Sequence, residues 1–72
     1  MARTRQEHMR WCKDRAHKYI KAGNGQEAIT SMLSDLRKHE GTAPSVQIAF
    51  SLMMMTNPKD MDAVREFVDG FN

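Results

Sequence analysis

Between Val46 and Met55 only Gln47 and Ser51 interrupt an apolar run, Val-Gln-Ile-Ala-Phe-Ser-Leu-Met-Met-Met. At about 100° per residue its eight apolar members cover nearly the whole circumference of a helix instead of one stripe. A helix apolar on all sides has to be enclosed on most of them. In a chain of 72 residues that demand recruits every other segment, or leaves a face for a second molecule to cover. The run is far shorter than the ~20 apolar residues that cross a bilayer. It is therefore read as a core or interface helix, and no membrane partner is expected.

Breakers divide the rest of the chain at regular intervals: Gly23-Asn24-Gly25, Gly41-Thr42-Ala43-Pro44 and Asn57-Pro58. The opening segment, Thr4 to Ala22, sets Arg5, Met9, Cys12, Ala16, Tyr19 and Ile20 on one helical stripe. Gly23 or Gly25 suits a left-handed terminator, and Lys18 and Lys21 suit the negative end of the helix dipole. The second helix is expected to start at Asn24 with Glu27 at the capping-box spacing. It would bury Ala28, Ile29, Met32, Leu33 and Leu36, turn Ser31, Ser34, Asp35 and Lys38 to water, and stop at Gly41. Thr42 is the expected cap of the third helix, with Pro44 in its first turn. Asn57 is the expected cap of the fourth, with Pro58 at the first helical position, and Asp60 and Asp62 near the positive end. Met61, Val64, Phe67, Val68 and Phe71 would face inward there, and Gly70 would end it.

No segment alternates with period two for long enough to form a strand. The expectation is an all-α fold of one domain over residues 1–72, with 1–3 disordered: four short helices in two antiparallel hairpins around the apolar third. The spacing Ala16…Tyr19…Gly23…Glu27-Ala28-Ile29 resembles the middle of a tetratricopeptide-type hairpin. With no second copy, it supports an antiparallel helix pair and not a repeat array.

Composition bounds the function more than it defines it. Chains near this size bury only roughly 60% of their unfolded surface, so oligomerisation often helps them. Cys12 is the only cysteine, which excludes an internal disulfide and suits a reducing compartment. The N-terminal residues lack the apolar segment of a secretion signal. Charge is uneven. Residues 1–22 hold seven cations against Glu7 and Asp14, and residues 23–72 hold four against seven carboxylates. Such asymmetry fits a first helix that docks on the rest through opposite charge, and it also fits an anion-binding end.

Trp11 lies off the apolar stripe of its helix, one turn from His8 and Arg15 and two from Lys18. An indole among cations can stack on a nucleobase or anchor a protein interface; the plain alternative is burial under the fourth helix or Phe71. The cations Arg3, Arg5, Arg10, Arg15, Lys18 and Lys21 wind around the helix instead of lining one strip, a weak nucleic-acid signal. His8 and Cys12 stand four residues apart, as two zinc ligands can, but three histidines and one cysteine scarcely complete a closed site. Cys12 among Met9, Ala16 and Tyr19 reads as a small core residue. No nucleophile elbow, phosphate loop or carboxylate pair is present, so neither enzyme activity nor a cofactor or metal is expected. The methionines Met32, Met53, Met54, Met55 and Met61 fit an adaptable binding groove or gap-filling in the core.

The segments Arg3-Thr4-Arg5, Trp11-Cys12-Lys13-Asp14-Arg15-Ala16, Ser31 to His39 and Phe67-Val68-Asp69-Gly70-Phe71-Asn72 resemble those of small proteins encoded by tailed bacteriophages of actinobacteria. The resemblance implies a phage product acting in the host cytoplasm by binding a host protein, with no functional residues to carry over. The sequence thus leads to a non-enzymatic protein that binds a host protein or itself, through Trp11, Arg10, Arg15 and Lys18 on the first helix and Met53, Met54 and Met55 on the third. The alternative is a nucleic-acid-binding accessory protein using the basic N-terminal helix.

Overall fold

Helix α1 (Arg5–Lys21) opens on a reciprocal capping box: the Thr4 hydroxyl accepts from the Glu7 amide, and the Glu7 carboxylate accepts from the Thr4 amide, both at 3.1 Å. This computed structural model describes residues 4–71, and the disorder expected of residues 1–3 lies outside that range. α1 is capped at Ala22 and turned out of the helix by Gly23, whose φ of +75° is left-handed and open to a glycine. The amides of Gly23 and Asn24 close the end on Ile20 and Tyr19 carbonyls. Asn24 then caps α2 (Gly25–Leu36) by accepting from the Glu27 amide at 3.2 Å. Gly25 answers a different need. A Cβ there would strike the Pro58 carbonyl and lie 2.7 Å from Met61 Cε and 2.9 Å from Val64 Cγ2, so α2 begins where the backbone before α4 presses against it.

Two expected helix starts move. Thr42 does not cap α3 (Ser45–Met55). Its buried hydroxyl donates to the Leu36 carbonyl at 2.7 Å, with His39 O at 3.2 Å, satisfying the end of α2, so that helix stops at Leu36 and not at Gly41. α3 starts from Pro44 with no side-chain cap. Asn57 does not cap α4 (Met61–Asp69) either. Its side-chain oxygen is engaged by the Lys59 amide at 2.9 Å in a local turn, and Asp60 caps the helix by accepting from the amides of Asp62 and Ala63. Gly70 ends α4 as expected.

The architecture is all-α, with no strand among the described residues. α1 and α2 run antiparallel, His8 near the start of one bonding the Asp35 carbonyl near the end of the other. α4 packs on both, while the main packing of α3 is on α2 alone. The expected central place of the third helix is thus filled by the seam between α1, α2 and α4: Met9, Cys12, Ala16, Ile20, Ala28, Ile29, Met32, Leu36, Val64, Phe67, Val68 and Phe71 are buried together, and α3 adds only Val46 and Ala49. The stripe of α1 also changes at its margins. Arg5 is exposed, its Nε donating to the Gly41 carbonyl at 3.1 Å; Tyr19 is about one-third exposed, and His8 is buried instead. Phe67 and Phe71 meet edge to face at 5.4 Å, closing the end of α4.

Candidate functional site

Two surfaces collect the residues singled out by the sequence, and they lie on different helices. On α3 the three methionines divide. Met53 packs against the core, whereas Met54 and Met55 are each 85% exposed, together with Ile48 at 61%, Phe50 at 42% and Leu52 at 39%. At 3.6 residues per turn, Val46, Ala49 and Met53 make the inward stripe, and Ile48, Leu52 and Met55, spaced i, i+4, i+7, form an outer ridge beside it. Phe50 and Met54 lie on the opposite flank, where the Arg37 guanidinium stands 5.6 Å over the Phe50 ring. Gln47 and Ser51 occupy the strip between the flanks. Scaling these exposures by roughly 150–200 Å² for a large side chain, on the order of 500 Å² of apolar surface stays uncovered. About 300 Å² of it lies on the Ile48, Leu52, Met55 ridge, at the lower end of the range for the largest contiguous patch on a typical monomer.

The second surface is built around Asp35, which the sequence had turned to water. It is 1% exposed, and its carboxylate accepts from Arg15 Nε at 2.7 Å, Lys38 Nζ at 3.1 Å and Ser31 Oγ at 3.3 Å. Three donors, two of them cationic, replace the water that the carboxylate has lost. The same cations bracket Trp11: Arg15 lies 4.7 Å and Lys38 5.4 Å from the ring centroid. His8 packs beside the indole at 5.2 Å and stacks on His39 at 5.1 Å. His8 Nε2 lies 2.7 Å from the Asp35 carbonyl, which can only accept, so this nitrogen carries the proton. Trp11 is thus half-buried at the edge of the core, on the α1–α2 seam.

Arg10 and Lys18 are exposed and do not join that cluster; they line a shallow groove along α1 with Lys21. Neighbouring α1 side chains serve docking. Lys13 Nζ donates to the carbonyls of Asp69 and Phe71, which cluster at the C-terminal end of α4, and His17 Nε2 meets the Asp69 carboxylate at 2.7 Å. Of the seven cations in the first 22 residues, Arg15 meets an opposite charge in Asp35 and Arg5 and Lys13 donate to backbone carbonyls; with His17 they make four points where α1 grips the rest of the chain.

For chemistry the described residues offer little. No three His, Cys, Asp or Glu side chains among them cluster as a metal ion requires, and Cys12 is fully enclosed. No helix of the described residues is long and apolar enough to cross a membrane. Compared with protein-family models, curated proteins and solved structures, the chain shows no significant match.

Proposed function

We propose that this protein is a non-enzymatic binding module that engages another protein through the outward face of α3. The observation that carries the reading is the 85% exposure of both Met54 and Met55 beside Ile48 and Leu52. Water-facing apolar side chains at this density are covered when a partner binds, and flexible thioethers adapt to its contours. Together with the resemblance to small phage proteins, this makes a host protein or a second copy of the chain the candidate partner, and the host cytoplasm the place of action. Trp11 and Arg15 contribute by fixing α1 on α2, and Arg10 and Lys18 remain at the periphery.

Capture from host lysate with tagged wild-type chain and with an Ile48→Glu/Met55→Glu variant tests the reading. A protein retained by the wild type and lost with the variant is the expected result; retention by both would place binding elsewhere. The nucleic-acid reading draws on the exposed Arg10, Lys18 and Lys21. It has less support, because Arg15 is committed to Asp35 and Trp11 is bracketed by side chains. A mobility shift at low salt that fades steeply as salt rises would favour it.

A further inference from the structure

We propose that the occupant of the α3 face is a second copy of this chain, its α3 lying antiparallel against the first about a two-fold axis at Leu52. This deepens the binding reading and rests on it. The ridge Ile48, Leu52, Met55 has the four-then-three spacing with which one helix seats on another. About an axis at Leu52 it matches itself to within one residue of register, Leu52 meeting Leu52 and Ile48 lying beside Met55, as an isologous interface requires.

Charge favours the same arrangement. No Asp, Glu, Lys or Arg occurs from Gly41 to Pro58, so two copies of α3 approach without like-charge repulsion. The charges that bracket this stretch differ at its two ends: exposed Arg37, Lys38 and Glu40 before it, Lys38 sharing the buried Asp35 with Arg15, and exposed Asp60, Asp62 and Lys59 after it, Asp62 meeting Arg65 at 3.4 Å. Antiparallel pairing sets the cationic end of one copy beside the anionic end of the other and opposes the two helix dipoles; parallel pairing aligns like with like.

Area sets the strength. The ridge supplies on the order of 300 Å² of apolar surface per copy, and with its polar rim the total nears the ~1,000 Å² that separates a specific contact from a weak one. A contact of this size falls in the weak, transient class, so the dimer is reversible.

Sedimentation equilibrium of the full chain from 1 µM to 1 mM tests this, with the mass expected to climb from 8.3 kDa towards twice that value. Leu52→Glu and Leu52→Lys, on an exposed position outside the core, should each weaken association at least tenfold with an unchanged helical spectrum. An equimolar mixture of the two should form a two-chain species again, because each substituted side chain faces its counterpart at the axis. A constant monomer mass up to 1 mM, or self-association indifferent to Leu52→Glu, would overturn the inference. If the chain stays monomeric while host-lysate capture still depends on Ile48 and Met55, only the second copy is ruled out. If both are absent, the binding reading falls with it.

Discussion

Asp35 joins the two longest helices through one carboxylate, and the partners it holds are unequal. Arg15 and Lys38 keep about half of their side chains in water, whereas Asp35 keeps almost none. Removing Arg15 therefore strands a buried charge on its remaining donors. Arg15→Ala should destabilise the fold by about 1–3 kcal/mol, measured by urea unfolding. The two glycines of the first turn separate by mechanism. Gly25→Ala drives a methyl group into Met61, Val64 and the backbone of Pro58 and should lose about 1–3 kcal/mol. Gly23→Ala meets open space and should lose only about 1 kcal/mol, from its left-handed φ. At this scale the apolar stripes of α2 and α4 were legible in the sequence, because burial follows the helical period. Asp35 and His8 were not legible. Hydropathy sends both to water; Lys38 is only three residues from Asp35, but Arg15 reaches Asp35, and the Asp35 carbonyl reaches His8, from across the α1–α2 seam, and that pairing makes their burial tolerable.

The helices themselves were legible, from apolar spacing and from Gly and Pro breakers, yet two of their ends were not. Thr42 and Asn57 are both good caps in isolation. Each is claimed by an earlier geometric opportunity, Thr42 by the carbonyl of Leu36 and Asn57 by the amide of Lys59, which local sequence does not reveal. Thr42→Val should accordingly destabilise by about 1–2 kcal/mol, by loosening the end of α2 and not the start of α3. Hydrogen exchange would show faster amides around Thr42 and Ala43. The split of the methionines makes a second test at this scale. Met53→Ala should lower the melting temperature, whereas Met54→Ala and Met55→Ala should each stay within about 0.5 kcal/mol of the parent.

For the whole molecule, the apolar third helix constrains the fold in the sense first inferred from its sequence, but by a different route. Three short companions do not wrap it. α1, α2 and α4 close a core with one another, helped by Lys13 and His17 gripping the end of α4, and α3 lies on α2 with its outer flanks bare. Sequence periodicity gives every helix an inner face but not the order in which inner faces are shared, so the place of α3 follows only from the packing. That uncovered face is what a partner would have to cover. Peroxide oxidation of dilute chain, followed methionine by methionine by mass spectrometry, measures it directly, because sulfoxide formation tracks access to the thioether. Met54 and Met55 should oxidise about tenfold faster or more than Met9 and Met32. Equal, slow oxidation of Met54, Met55 and Met32 would show α3 enclosed within one chain and contradict the account.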